Sequence, residues 1–395
     1  MYQAIRPYQP HLCDVLEGDV VSGEFPQAVL FCGPRYSLKM TTALETVRIL
    51  SCQKDGADGC QCPACRASRL LEDNNLVILS QRDQASILRT YVGVYRRLRT
   101  LTSKEQLVRA TRIALLGYHG ALLKTAGSSQ KPAFAAAGAL NDLLLSLKTA
   151  DEDDEKGAQK FEKAYLEALK KLESVERKDT TLSIDQVRAI DDWAHQTTVG
   201  GKRQFVILEG VEEANVSARN SLLKILEEPP SGVYFILVST HPERLLSTIL
   251  SRVRKYRFPP LDGASVTRLL APSYPEKPYA SFEEFFLAGS GSDASALKEW
   301  ASRLASLSLR GGVLESGDVT LLSGVCTSQS ALEFFLQSLL DLFERDFLDG
   351  RIPLAKARKL SSLVSSLESA AVLYNQDRRL LIQNLCLKLW EEGKE

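Results

Sequence analysis

Apolar positions along the chain form two kinds of pattern, short continuous runs and longer segments with helical spacing. Four short apolar runs are typical of buried strands. Helical spacing follows the first run over residues 41–51 and separates the last two runs over residues 216–228. Pro229 and Pro230 end the second of these helices, because proline lacks a backbone donor and clashes with the preceding turn. The predicted strands are residues 28–32, 76–79, 205–208 and 234–238.

A long segment, residues 83–179, interrupts this pattern with good helix formers and few strand signals. After Phe258 the rest of the sequence is amphipathic helix. Strands first and helices last predict an α/β domain with a helical insertion, followed by helical domains. A length of 395 residues agrees with this, since it exceeds what one ordinary core holds and predicts two or three domains.

Charge and cysteine content narrow the possible functions. Lys plus Arg balances Asp plus Glu, 49 against 49, whereas a protein holding DNA mainly through its own phosphate contacts would show a basic excess. We therefore expect DNA contacts that are local or made through partners.

The N-terminus lacks the apolar core of a secretion signal, and the longest apolar run, residues 233–238, is too short for a bilayer. Eight cysteines then indicate reduced thiols or metal ligands in a cytoplasmic protein without membrane contact.

Half of the cysteines lie in one short, glycine-containing segment, as Cys52, Cys60, Cys62 and Cys65. Four thiolates complete a tetrahedral zinc site, and the Cys-x2-Cys spacing of the last two places both sulfurs on one ion. The spacing of Cys60 and Cys62, with one residue between them, is less usual, and a chance cluster of free thiols is the alternative. Because four protein ligands leave no open position, the predicted zinc is structural.

A phosphate loop that is nearly complete connects the first strand to its helix, over residues 33–42. Lys39 is retained. Leu38 stands where glycine should let the backbone wrap the phosphates, and its Cβ opposes that conformation. Met40 stands where a hydroxyl should bind magnesium, and its thioether is a poor ligand for that ion. Taken alone, this match to a Walker A loop could be a coincidence.

The strand at residues 205–208 ends in Glu209 and Gly210. A Walker B strand normally ends in two acids, of which one binds magnesium and the other orients the attacking water. Glu209 could supply the first, but Gly210 cannot supply the second. ATP hydrolysis should therefore be slow or absent, although an ordinary buried strand reaching a turn fits the same residues.

The order and spacing of these motifs resemble the bacterial clamp-loader AAA+ proteins of DNA polymerase III. That family carries an Asn-Ala-Leu-Leu-Lys-x-Leu-Glu-Glu-Pro-Pro signature, from which residues 220–230 depart only at Ser221. The family's Ser-Arg-Cys motif corresponds to Ser251, Arg252 and Val253, and its zinc module to residues 52–65. The resemblance covers roughly residues 5–80 and 180–300 and weakens toward residues 375–390, which look like the final collar helix.

The resemblance implies roles for individual residues. Arg252 would be an arginine finger that reaches the ATP of a neighbouring subunit, although a lone arginine here could be an ordinary surface residue. Ser239 or Thr240 would lie in the sensor 1 region, and Ser292 replaces the arginine of the sensor 2 motif. ATP binding is doubtful. The degenerate nucleotide site would comprise Gly33, Lys39, Thr41, Glu209 and Thr240.

The resemblance also implies a fold and its domains. We expect an α/β AAA+ P-loop-like domain over residues 1–262, with a zinc module at 52–65 and a helical insertion at about 83–179. A small helical lid domain over residues 263–310 and an all-α C-terminal collar domain over residues 311–395, used for oligomerisation, would follow.

The implied function is that of the family's non-hydrolysing stator. Such a subunit joins gamma/tau and delta subunits in a hetero-oligomeric ring, and it meets the sliding clamp and primed DNA through that complex. An active gamma/tau-type motor with a divergent P-loop is the alternative, and a zinc-dependent nucleic-acid-binding module is a third. The insertion is absent from the usual family pattern. It could be a structural elaboration, or a docking surface formed by the basic run Arg89, Arg96, Arg97, Arg99 and Arg109.

Overall fold

The structure is a computed structural model. The residues it describes are 1–80, 82, 84–123, 131–148, 155–176, 182–196, 203–271, 274, 279, 281–289, 291–312, 314–326, 328–374 and 378–393. They form two compact units, Met1–Ala280 (the first unit) and Ser281–Glu395 (the second unit).

A five-stranded parallel sheet organises the first unit, with strand order β2-β3-β4-β1-β5. The four predicted strands are confirmed, while β5 was missed. Its sequence, Arg-Lys-Tyr-Arg, has only Tyr256 buried, as suits an edge strand. The strands are β1 (Ala28–Cys32), β2 (Leu76–Ser80), β3 (Gln204–Glu209), β4 (Val233–Ser239) and β5 (Arg254–Arg257).

Helices cover both faces of this sheet, as a parallel sheet requires. The prediction of an α/β segment containing a long helical stretch is confirmed. The helices of the first unit are α1 (Pro10–Val21), α2 (Lys39–Ser51), α3 (Pro63–Leu70), α4 (Gln84–Leu98), α5 (Leu101–Leu115), α6 (Gly120–Leu123), α7 (Lys131–Lys148), α8 (Glu155–Glu176), α9 (Ile184–Ala194), α10 (Val216–Glu227), α11 (Ser247–Leu250) and α12 (Gly263–Leu270).

Successive residues of β1 enter different cores, because side chains alternate across a strand. Leu30 joins the core that contains Ile190 of α9 and Leu222 of α10. Phe31 joins the opposite core, with residues of α1 and α2 such as Val47. The sheet is therefore a fixed central layer, and the loops at its edges carry the candidate functional residues.

The predicted insertion forms its own apolar core from α4, α5, α7 and α8. Two arginines of the basic run help to hold α4 against α8. Arg89 donates from Nε and Nη2 to the carboxylate of Glu173 at 2.8 and 2.6 Å, and Arg96 donates to Glu162 at 3.3 Å. These two arginines therefore have partners within the insertion, and both interpretations of the insertion stay predictions.

The second unit is helical throughout its described residues, and its helices share one apolar core. Residues 375–377, at the start of the predicted collar helix, lie outside the described residues. No single helix in the described ranges is long and apolar enough to cross a membrane, although one bent pair, Ser316–Val325 with Ser330–Leu348, passes by length and composition only. The helices are α13 (Phe282–Gly289), α14 (Ala294–Leu309), α15 (Ser316–Val325), α16 (Gln329–Leu348), α17 (Leu354–Tyr374) and α18 (Arg378–Gly393).

Candidate nucleotide site and metal centre

The phosphate-loop-like segment connects the carboxyl end of β1 to α2. Gly33 has φ 152°, and a Cβ there would lie 2.2 Å from the carbonyl oxygen of Phe258, so the position requires glycine. Leu38 has φ 68° and adopts the left-handed conformation in spite of its Cβ. The Cβ opposes this conformation by roughly 1–2 kcal/mol, and the turn forms in spite of that cost.

Lys39 is turned into its own loop. Its Nζ donates to the carbonyl oxygens of Gly33, at 2.6 Å, and Pro34, and to Oγ of Ser37 at 3.3 Å. An ammonium group has three donors, and three loop oxygens occupy them. The side chain is only 3% exposed, and burial, followed by the nearby charge of Arg82, lowers the pKa of Lys39 to about 8. The donors of the cation expected to grip phosphate are thus already occupied by its own loop.

The next two positions of the loop differ in environment. Met40 is buried in the core beneath the sheet, where its thioether contributes to packing and offers no hydroxyl. Thr41 is exposed, while the hydroxyl of Thr42 donates to the carbonyl of Leu38 at 2.9 Å. A magnesium ligand is therefore absent at the position of Met40.

Glu209 at the end of β3 is also engaged by protein groups. Its carboxylate accepts from the hydroxyl of Ser80 at 2.7 Å and from Nε of Arg82 at 2.6 Å. Ser80 lies opposite Glu209 in the parallel register, which brings the two side chains together. Gly210 follows with φ 76° and begins a short 3₁₀ turn. The one acid of this strand end is held as the partner of an arginine.

The segment after β4 is held by a buried acid that sequence analysis missed. Glu212 Oε1 accepts from the backbone N–H and the hydroxyl of Thr240, at 2.9 and 3.2 Å, and from the N–H of His241 at 3.2 Å. Ser239 is buried beside it. Thr240 therefore meets a carboxylate of this chain.

Arg252 lies in the turn between α11 and β5. Its Nη1 donates to the carbonyl of Thr248 at 2.6 Å, its Nη2 donates to Glu227 at the end of α10, and its side chain is 30% exposed. Because β5 runs parallel to β1, Arg252 precedes the amino ends of the strands, whereas Lys39 follows their carboxyl ends. The amino and carboxyl ends of the strands are separated here by the length of β5, which is about 13 Å for four residues.

The segment that the resemblance assigns to sensor 2 is a turn in the second unit. Gly289 ends α13, and Asp293 caps α14 by accepting from the N–H groups of Ser295 and Ala296, at 2.9 and 3.3 Å. Ser290 lies outside the described residues. Ser292, which replaces the arginine of the motif, directly precedes this cap.

The four predicted cysteine ligands converge on one point. Their sulfur atoms all lie within 4.8 Å of one another, with Cys52 at 3.6 Å from Cys60 and 3.9 Å from Cys62. A zinc tetrahedron with metal–sulfur distances of about 2.3 Å has sulfur–sulfur edges of about 3.8 Å. The distances far exceed a disulfide bond, and all four cysteines are free. Cys65 completes a cluster that could hold a metal.

Local structure supplies donors to these sulfurs. Cys52 ends α2 and accepts from the N–H groups of Lys54 and Gly56 at 3.4 and 3.3 Å, while Cys62 caps α3 and accepts from the N–H of Cys65 at 3.5 Å. Donation by the N–H groups of Gln53 and Cys65 lowers the pKa of Cys62 to about 6. Burial raises the pKa of Cys65 to about 12. This set of thiols fits a structural zinc ion, whose charge favours four thiolates.

The groups that sequence analysis missed are far from their partners along the chain. Arg82 lies 127 positions from Glu209, and Glu212 lies 28 positions from Thr240. Only the topology of the sheet brings them together. Glu227, in contrast, lies within the signature at residues 220–230 and could have been paired with Arg252.

Comparison with known proteins gives similarity to DNA polymerase III subunits. A family model described as "DNA polymerase III, delta subunit" matches residues 104–262, beginning within α5. The DNA polymerase III subunit delta' of Pseudomonas aeruginosa is 37% identical over 121 residues, covering 31% of this chain and 37% of that protein. The delta' subunit of Escherichia coli is 37% identical over 95 residues, covering 24% and 28%.

A gamma/tau subunit of DNA polymerase III from Mycobacterium bovis is 35% identical over 88 residues, covering 22% of this chain and 15% of that protein. Among solved structures, a DNA polymerase III gamma subunit-related protein from Thermotoga maritima is 20% identical with a TM-score of 0.29, covering 54% of this chain and 80% of that one. The chain spans little more than a third of the Pseudomonas protein and less of the other curated relatives. The resemblance predicted from the motifs is nevertheless confirmed, as similarity of parts of this chain to delta-prime and gamma/tau subunits of DNA polymerase III.

Proposed function

We propose that the chain is a clamp-loader subunit of DNA polymerase III, acting in the cytoplasm during DNA replication. It is a non-hydrolysing stator that supplies Arg252 to the nucleotide site of a neighbouring ATPase subunit. Its partners are gamma/tau and delta subunits in a hetero-oligomeric ring, and the complex meets the sliding clamp and primed DNA. The similarity to delta' and gamma/tau subunits supports the class of protein.

The environment of Lys39 supports the absence of ATP hydrolysis by the chain itself. A triphosphate would have to displace three loop oxygens from Nζ of Lys39. Burial also makes the charged form of this group less favourable. It would also have to compete with Arg82 for Glu209, since magnesium and the guanidinium use the same carboxylate oxygens. Gly210 offers no second acid to orient water. Positioning groups for phosphoryl transfer are thus missing or already paired.

The location of Arg252 carries the proposal of action in trans. It precedes β5, at the amino ends of the parallel strands, whereas the phosphate-loop-like segment follows the carboxyl end of β1, so the two lie at opposite ends of the strands. Its guanidinium is partly exposed and has a defined position, set by Thr248 and Glu227. A planar guanidinium with free N–H groups suits charge on a transferring phosphoryl group. The phosphate it serves would belong to another subunit.

Structural zinc is part of the same proposal. Cys52, Cys60, Cys62 and Cys65 supply four sulfurs and leave no open coordination position, so the ion would hold the segment after α2 together without taking part in a reaction.

Reconstitution of the complex with Arg252→Ala tests the proposed role. We expect assembly to be intact and the neighbouring ATPase site to lose roughly three orders of magnitude in turnover. The DNA-stimulated ATPase rate of the whole complex should fall by at least the fraction of that rate that one ATPase site contributes. The matched control is Arg244→Ala, because Arg244 is an exposed arginine of the same region that pairs with Glu213. An unchanged rate with Arg252→Ala would reject the role of Arg252.

The rival function is an active motor with a divergent P-loop. It makes the opposite prediction for the isolated chain, namely micromolar binding of ATP with magnesium that Lys39→Ala abolishes. Equilibrium dialysis separates the two functions, and such binding accompanied by turnover would replace the stator proposal.

A further inference from the structure

One arginine of α2 is buried against the cysteine cluster. Arg48 is 2% exposed, and its Nε and Nη2 donate to the carboxylate of Glu45 at 2.6–3.0 Å. Nη2 also donates to the carbonyl of Gly56 at 2.9 Å. Nη1 donates to the carbonyl of Ala57 at 3.2 Å and to Sγ of Cys65 at 3.3 Å. A guanidinium has five N–H donors, and these contacts occupy all of them.

The contacts connect three separate parts of the metal centre. Glu45 belongs to the same helix as Arg48, Gly56 belongs to the loop after it, and Cys65 belongs to α3. Gly56 itself donates its N–H to Cys52 at 3.3 Å. Arg48 therefore contacts one candidate ligand directly and holds the residue that donates to a second.

A zinc ion with four thiolate ligands and the guanidinium of Arg48 carry opposite charges. Four thiolates around Zn²⁺ carry a net charge of −2, and burying that charge is costly unless opposite charge or hydrogen bonds lie close to it. Cys65 is completely buried. Arg48 meets this requirement, because its guanidinium places a positive charge and an N–H donor 3.3 Å from Sγ of Cys65.

We propose that Arg48 is a positioning residue of the metal centre, which orients the sulfur of Cys65 and fixes the loop at Gly56 and Ala57. The inference rests on the zinc part of the proposed function and is independent of the arginine finger. Groups behind metal ligands commonly alter metal affinity by about 10–100-fold when they are removed. Here the group lies on the helix that also begins with Lys39, so the metal centre and the phosphate-loop-like segment share one rigid element.

The experiment measures zinc affinity of the full chain by competition with a chromogenic chelator. We expect Arg48→Gln to weaken zinc binding by about 10–100-fold. The zinc affinity of Arg48→Lys should lie between those of the wild type and Arg48→Gln, because lysine keeps the positive charge but lacks the planar guanidinium. The matched control is Arg112→Gln, since Arg112 donates to Leu70 and Glu72 at the end of α3 without touching a cysteine. Its zinc affinity should equal that of the wild type.

A second readout distinguishes positioning from a general loss of stability. In the cobalt-substituted protein, loss of the Arg48 N–H raises the energy of the Cys65 sulfur electrons, so the sulfur-to-metal charge-transfer absorption should move to lower energy. The control variant should leave that absorption in place. If Arg48→Gln does not fold, Arg48→Lys is measured in the same way, with a smaller shift in the same direction.

The possible failures have separate meanings. A wild-type chain that binds no zinc would remove the metal centre and the role of Arg48 together, leaving the test of Arg252 unaffected. A wild type that binds zinc, with variants of equal affinity and unshifted cobalt absorption, would overturn the role of Arg48 alone.

Discussion

Lys39 is a charged group that the folded chain buries, and no carboxylate among the described residues is in hydrogen-bonding contact with it. Three loop oxygens satisfy its donors, yet they do not offset the loss of hydration of the charge, and the pKa falls from 10.5 to about 8. The charged form is therefore less favourable in the folded protein than in the unfolded chain. The geometry of this one residue makes the stability of the fold depend on pH.

Between pH 8 and 10.5 the unfolded chain binds more protons at Lys39 than the folded chain does. The free energy of unfolding from this group therefore rises with pH across that window, by at most about 3 kcal/mol. We expect Lys39→Met to remove this rise, as measured by denaturant unfolding at a series of pH values. Lys224→Met is the control, because Lys224 is exposed. Parallel curves for the wild type and Lys39→Met would contradict the assignment.

Functional groups that are close together along the chain could be predicted from the sequence. The four cysteines could be predicted as one cluster because they lie within fourteen positions and zinc needs that set of ligands. Lys39 was identified as a candidate, but its orientation could not be predicted, because the competing acceptors are carbonyls of its own loop. The pairing of Arg82 with Glu209 depends on the register of β2 and β3, which no local pattern encodes.

At the scale of elements, the apolar runs predicted β1 to β4 because each is buried on both faces. The same criterion excluded β5, whose charged residues remain exposed at the sheet edge. Proline after residue 228 predicted the end of α10 correctly, whereas its beginning depends on a cap. Asn215 Oδ1 accepts from the N–H of Ala218 at 2.8 Å.

The cap at Asn215 should contribute measurably to stability. Asn215→Ala leaves the N–H of Ala218 without its partner, and such a change costs about 1 kcal/mol of unfolding free energy. The neighbouring Val216 is 69% exposed, so Val216→Ala should change the free energy of unfolding by less than about 0.5 kcal/mol. Denaturant unfolding compares the two variants. Equal effects would show that α10 is fixed by packing of Leu222 and its neighbours and not by its cap.

At the scale of the whole molecule, the two units have separate cores. The apolar clusters around the sheet, the insertion and the cysteines draw their members from the first unit, and the cluster of the second unit draws its members from residues 287–389. The apolar pattern predicted a change from α/β to helical structure, whereas the domain boundaries came only from the resemblance. The predicted boundaries after residues 262 and 310 stay predictions. The two compact units are defined by their separate apolar cores, which the motifs do not locate.

Separate cores make the two units differ in their response to zinc removal. A metal that binds only the folded first unit stabilises that unit by about 4 kcal/mol at a thousand times its Kd. We therefore expect a chelator to lower the first unit's unfolding transition in the full chain while the second unit's transition stays constant, as followed by calorimetry with hydrogen exchange to assign each transition. Cys65→Ser should abolish the response to chelator. Cys326→Ala, which alters a buried cysteine of the second core, should lower the other transition and keep the response. Equal shifts of both transitions would mean that the units unfold as one, because a ligand of one cooperative unit stabilises everything that unfolds with it.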